Sequence, residues 1–207
     1  MNNLYSLFFV ISLLISGCNY KVNEDNRLTQ TINSLDMNVY SNKGDKIYTI
    51  NSPISSYNKI KHIFELGKTT IYVYKNKEIE YTIRSDESKL SNNNNILELN
   101  GNVQLKTILQ DDDILYADNF VWNINDSKYF LKGNVIFENK NIILSSNKAI
   151  LSSDNIIEFF NPVKYIIKNE NNEKNYEINS ENAFYNVITK SVSFESKNKQ
   201  VRSKLYF

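Results

Sequence analysis

Leu97-Glu98-Leu99-Asn100-Gly101-Asn102-Val103-Gln104-Leu105 is the stretch that decides the fold. Leu97, Leu99, Val103 and Leu105 share one face of an extended chain, while Glu98, Asn100, Asn102, Gln104 and Lys106 share the other. Strict alternation of this kind marks a strand with one dry and one wet face. A glycine in mid-strand has no side chain to pack, so Gly101 marks a bulge, a sharp bend or a place of close approach. The block returns as Leu131-Lys132-Gly133-Asn134-Val135-Ile136-Phe137, with Gly101 and Gly133 separated by 32 positions. A third copy, Ile157 to Tyr165, carries Asn161 where the others have glycine, and Val192-Ser193-Phe194-Glu195 is a frayed fourth.

A second block, an apolar residue followed by any residue and a small one, lies between the copies. It occurs as Ile50-Asn51-Ser52, Ile83-Arg84-Ser85, Leu115-Tyr116-Ala117, Leu144-Ser145-Ser146 and Ile178-Asn179-Ser180. The small residues advance by 33, 32, 29 and 34 positions, which makes this a repeat of about thirty residues. Asn92 to Asn95, Asp111 to Asp113, Asn125-Asp126-Ser127 and Asn169 to Asn175 fall between blocks, where Asn and Asp suit chain reversal. Each unit therefore reads as two short strands joined by polar turns. About five such pairs, stacked, predict an all-β domain of two facing curved sheets or one rolled sheet, with apolar residues lining the space between. The small residues either leave room inside or let the facing sheet come close, and the pattern alone allows both.

Composition agrees with sheet and narrows the chemistry. Tyr and Phe number 14 and 11, whereas Gly and Pro number 5 and 2. The 24 basic and 23 acidic residues leave a net charge of +1, which gives no pull toward nucleic acid. Cys18 is the single cysteine, so the chain has neither an internal disulfide nor a cysteine metal cluster to offer. His62 is the single histidine and reads as a structural or solvated residue before it reads as a ligand. No Gly-rich phosphate loop, nucleophile triad or His-Glu-x-x-His helix is present, and the carboxylates are scattered. No catalysis, metal or cofactor is expected.

Leu4 to Ile15 form an apolar run of signal-peptide length, short of the ~20 residues that span a bilayer. The run meets Ile15-Ser16-Gly17-Cys18, which resembles a bacterial lipobox and implies acylation of Cys18 after cleavage. The leader Met1-Asn2-Asn3 lacks Lys and Arg, and an ordinary signal peptide or a short uncleaved anchor, either with an incidental cysteine, is the competing reading. The expected organisation is a lipoprotein signal peptide over 1–17, a flexible polar tether over 18–34, and a β-domain over 35–207.

The Leu-x-Gly-Asn-Val block, followed by Leu115-Tyr116-Ala117-Asp118, resembles LptC, the periplasmic component of lipopolysaccharide export. More broadly it is similar to the OstA-like domains shared with LptA and the N-terminal part of LptD, over about residues 35–207. The resemblance implies a twisted β-jellyroll open along one side, with acyl chains of lipopolysaccharide in an apolar groove. It implies delivery by a transporter of the LptB, LptF and LptG type and onward passage to LptA or an LptD-like jellyroll through edge-strand pairing. The anchored N-terminus favours LptC over LptA and places the chain in the periplasm, held to a membrane, expected to be the inner one. A lipid at Cys18 departs from the transmembrane helix better known in that family. Alternation proposes Leu97, Leu99, Val103, Leu105, Leu115, Leu131, Val135, Phe137, Leu144, Phe159, Val163 and Ile178 as groove-lining residues, with plain core packing as the other reading. Trp122 fits either the core or the groove mouth. An LptA-like bridge, a structural envelope lipoprotein whose repeats pack dry and, more distantly, a carbohydrate-active β-solenoid are the alternatives.

Overall fold

The computed structural model describes residues 28–91, 93, 95–107, 113–169, 171 and 173–206. The leader, Cys18 and most of the expected tether lie outside the described residues. Among the described residues all twelve regular elements are strands: β1 Thr29–Tyr40, β2 Lys46–Asn58, β3 Ile63–Lys75, β4 Glu78–Ser91, β5 Ile96–Thr107, β6 Ile114–Asn123, β7 Lys128–Glu138, β8 Ile142–Leu151, β9 Ile156–Lys168, β10 Lys174–Asn186, β11 Val192–Glu195 and β12 Arg202–Leu205. Strands β1 to β11 lie side by side in chain order within one sheet, and β12 returns to pair with β10. Every pairing is antiparallel.

Tight turns make this order possible. Asn76 and Lys77 hold φ of 53° and 69°, the left-handed pair that joins β3 to β4 with the twist a hairpin needs. Elsewhere Ser127, Asn155 and Lys190 take positive φ in the turns after β6, β8 and β10.

The two blocks of the repeat fall on separate, alternating strands, as their spacing suggests, but each marks the middle of a long strand of 10 to 14 residues rather than a short one. Register shifts occur between Arg84 and Glu87, Asn100 and Val103, Tyr116 and Asn119, Lys132 and Val135, and Ser145 and Lys148. At these points each strand bends and continues, so the shifts line up into a row of corners across the sheet.

Two corners share one construction. Gly101 and Asn102 have φ of 73° and 47°, and Gly133 and Asn134 have 73° and 45°. A side chain at Gly101 would bring a Cβ to 2.8 Å from Asp86 Oδ2, and one at Gly133 to 2.5 Å from Asp118 Oδ2. The aspartate lies over the glycine because the next residue holds it there: Asn102 Nδ2 donates to Asp86 Oδ2 at 2.7 Å, and Asn134 Nδ2 to Asp118 Oδ2 at 2.8 Å.

The small residues of the other block have a third role beside the two expected ones. Ser52, Ser146 and Ser180 donate through Oγ to the carbonyls of Ile54, Lys148 and Asn182, at 2.7, 2.8 and 2.9 Å. Each hydroxyl thus satisfies a backbone oxygen two residues on, at the point where the bend disturbs the ladder.

The corners divide the sheet into two halves. Half A holds the first parts of the even strands β2 to β10 and the second parts of the odd strands; half B holds the remaining parts and faces it. Four ring pairs cross between them: Tyr48–Trp122 at 5.3 Å, Tyr81–Tyr129 at 5.9 Å, Phe137–Tyr185 at 4.3 Å and Tyr165–Phe194 at 5.4 Å. The architecture is therefore an open, twisted β-jellyroll, a single sheet folded over on itself. Apolar side chains from β2 to β10 form one continuous core between the halves.

β1 begins at Thr29, inside the span 18–34 read as tether. Ile32, Leu35, Met37 and Val39 are half-buried and the strand pairs with β2 from Thr29 to Tyr40, so pairing overrides a polar composition. At the far end β11 pairs with the second part of β10 and β12 with the first, so the two short strands act as one bent strand interrupted at its corner. Glu181 fastens that corner by accepting from the amides of Lys197 at 2.7 Å and Asn198 at 3.1 Å.

Candidate functional site

The residues proposed from alternation converge on one place. Leu97, Leu99, Val103, Leu105, Leu115, Leu131, Val135, Phe137, Leu144, Phe159 and Val163 are all buried and belong to the core cluster between the halves. Ile178 is half-buried and packs against that cluster. Their outward neighbours Asn102, Gln104, Lys106 and Lys132 are exposed. Trp122 is core, 2% exposed, with its indole Nε1 lacking a hydrogen-bond partner among the described residues. His62 sits in the exposed turn after β2, where its Nδ1 meets Tyr57 Oη at 2.9 Å, the solvated role expected of it. Asp113 is buried, although its sequence context suggested a solvated turn.

The interior is graded in chemistry from the corners outward. Beside the corners stand the aliphatic Leu99, Val103, Leu131, Val135 and Val163 with Phe120 and Phe159, interspersed with the buried hydroxyls of Ser52, Ser85, Ser88 and Ser146. Toward the strand ends, where the two halves meet opposite the corners, aromatic rings take over. Tyr48, Trp122, Tyr129 and Tyr81 make one contiguous group, since Trp122 and Tyr129 lie 5.3 Å apart and each contacts a ring from half A. Burial pushes the Tyr48 phenol up to about 12 and raises those of Tyr81, Tyr129 and Tyr185 as well. These hydroxyls stay neutral at physiological pH and keep both donor and acceptor capacity. Of the core and the groove mouth, the two places that sequence reasoning allowed for Trp122, its burial puts it in the core.

Polar contacts fasten the same seam. Lys190, in the turn after β10, forms an ion pair with buried Asp113 at the start of β6, and Asn139 Nδ2 donates to the same carboxylate at 3.2 Å. Tyr81 Oη donates to Asn155 Oδ1 at 3.4 Å. A cleft of about 350 Å³ opens beside these contacts, lined from half A by Tyr81 and Thr107 and from half B by Asn155, Val187 and Ile188. None of these cross-seam partners was among the residues proposed from sequence, because each pairs side chains far apart in the chain.

The sheet does not close into a barrel. β1 stands at one end of the strand order and β11, with β12, at the other, and each has a strand neighbour on one side among the described residues. An open edge of this kind offers backbone groups to a further strand.

A sheet folded along one row of corners, apolar within and unclosed at both edges, defines the class: an open-sided β-jellyroll built from tandem strand pairs. The sequence profile described as "Lipopolysaccharide-assembly, LptC-related" matches residues 4–148, more than half of the chain, and the chain belongs to this family. Among solved structures it is similar to the crystal structure of LptH, described as the LptA homologous periplasmic component of the conserved lipopolysaccharide transport device from Pseudomonas aeruginosa. That similarity has a TM-score of 0.48 and 12% identity, over 61% of this chain and 94% of the other. No curated protein matches the chain significantly.

Proposed function

We propose that this chain is a periplasmic carrier in lipopolysaccharide export, which receives the lipid from an inner-membrane transporter and passes it to the next β-jellyroll. The observation that carries the reading is the convergence of the alternating apolar residues on one interior, enclosed by a sheet that stays unclosed at its edges. Acyl chains gain ~0.8 kcal/mol for each methylene withdrawn from water, so partial burial of a multi-chain lipid outweighs the cost of ordering it. The chain binds and releases; it catalyses no reaction, and direction comes from an LptB, LptF and LptG-type transporter upstream. The free edges are suited to strand pairing with that transporter on one side and an LptA-like or LptD-like jellyroll on the other. Acylated Cys18 holds the protein to the membrane, in this reading the inner one, since a single cysteine lies at the end of the apolar leader.

The test places a photo-crosslinking residue at Val103 or Val135, which face inward, and at Gln104, which faces out. The inward positions capture lipopolysaccharide in cells and Gln104 does not; equal labelling sinks the groove. The mass of the mature N-terminal peptide reports acylation of Cys18 directly. A second reading, a structural envelope lipoprotein with a dry interior, is favoured by the complete burial of Leu97, Leu99, Val135, Leu144 and Phe159. It requires that depletion leave lipopolysaccharide export unchanged.

A further inference from the structure

We propose that the β8–β9 and β10–β11 turns form one flap, which closes the seam over the apolar interior and parts to admit a hydrocarbon tail of an acylated glycolipid. The inference rests on the lipid-carrier reading and adds to it the place of opening and the side chains that govern it.

The two turns form one unit because Val187 N donates to Asn155 O at 2.9 Å, joining the turn after β10 to the turn after β8. Both turns belong to half B, and each reaches across to half A. Lys190 crosses to Asp113, and Asn155 receives the Tyr81 hydroxyl at a distance near the limit for a hydrogen bond. Lys190 also passes its ammonium 5.9 Å from the ring of Tyr185, which packs on Phe137 of the other half at 4.3 Å. The flap is thus fastened by side chains, whereas the opposite margin of the interior is continuous backbone at the corners. Opening therefore pivots on the corners and parts the seam.

The ion pair is suited to reversible closure. Asp113 is 3% exposed and keeps Asn139 as a second donor, while the Lys190 side chain remains 38% exposed. When the seam parts, the ammonium returns to water at little cost and the carboxylate gains access to solvent, so neither charge is stranded in an apolar medium. Beneath the flap lies the cleft of about 350 Å³. Tyr81 and Val187 line it and are also members of the core, which makes its floor continuous with the interior. Ile188, 66% exposed, stands on the flap at its rim as an apolar side chain turned to solvent. Lys75, Asn76 and Glu80 border the cleft on the half A side, so a hydrocarbon tail passes a polar margin there while Ile188, Val187 and Tyr81 give it apolar surface toward the core.

The test uses the full chain and dispersed lipopolysaccharide, with loading followed by the emission of Trp122, the single tryptophan, and bound lipid counted by native mass spectrometry. Asp113→Lys and Lys190→Asp each accelerate loading by about two- to fivefold, the range that a partly exposed ion pair commands, and the combined exchange restores the slower rate. Asp113→Asn, which keeps the shape and removes the charge, accelerates loading in the same sense and stands in if a reversal fails to fold. Single variants that load at the unaltered rate, or a combined exchange as fast as its parents, overturn the flap. Lipid capture at Val103 without any change in rate overturns the flap alone; no capture by any chain, the unaltered one included, overturns the carrier reading as well.

Discussion

At the scale of single residues, the corners depend on an aspartate, a glycine and an asparagine acting together. Gly133 has φ of +73° and no room for a Cβ beside Asp118, so Gly133→Ala combines backbone strain with a clash. We expect it to cost about 1–3 kcal/mol in urea unfolding. Asp118→Ala loses the hydrogen bond from Asn134 and costs ~1 kcal/mol. The double variant costs less than the sum, because removing the carboxylate makes space for the new methyl. Strict additivity in this cycle would show that the aspartate does not enforce the glycine. In the interior, Phe137 is 1% exposed and stacks on Tyr185, so Phe137→Ala costs about 3–5 kcal/mol, whereas Gln104→Ala on the outer face stays within about 0.5 kcal/mol.

At the scale of elements, the sequence states the repeat clearly and the strand boundaries poorly. Period-two alternation in residues 97–105 identified both faces of β5, and the burial of Leu97, Leu99, Val103 and Leu105 follows that reading. Gly101, read as a mid-strand bulge or bend, is such a bend, and Asn102 shares its positive φ while β5 continues past both. Composition misled at β1, where polar residues suit an edge as well as a tether. β12 carries no alternating apolar pattern and is fully exposed, so nothing local announces it. What holds it is pairing to β10 and the cluster around Glu177. Lys174 Nζ lies 2.6 Å from that carboxylate, Asn179 Nδ2 3.1 Å, Lys164 Nζ 3.4 Å and Tyr206 Oη 3.4 Å. The hydrogen bond from Lys174, then that from Asn179, hold the Glu177 carboxyl down to about 2, against an ordinary 4.5. Because the folded value lies below the unfolded one, ionised Glu177 stabilises the fold above pH 4.5, and that contribution disappears as pH falls from 4.5 toward 2. The midpoint of urea unfolding, followed from pH 5 to 2.5, should fall less steeply in Glu177→Gln than in the unaltered chain; parallel slopes would count against this assignment.

At the scale of the whole molecule, the interior was legible and its closure was not. Alternation picks out which side chains turn inward without knowledge of what they meet, and all the positions it proposed pack in or against one core. The seam is set by encounters such as Lys190 with Asp113, 77 positions apart, which no local pattern encodes. A lipid that binds the folded chain and not the unfolded one raises its melting temperature, by mass action, in step with lipid concentration. Alongside that rise, Trp122 emission should shift as acyl chains displace Tyr48 and Tyr129 from the indole. A melting temperature indifferent to lipopolysaccharide would favour the dry, structural reading.

The strictly sequential order of β1 to β11 bears on how the protein is made. Each ribbon pairs with the one synthesised just before it, so the backbone ladder can extend as a nascent chain emerges N-terminus first, while the packing of the two halves waits for partners such as Trp122 on Tyr48. Premature termination after several strand pairs, enough for the two halves to meet, would then leave a shorter but ordered product, exposed at its growing margin.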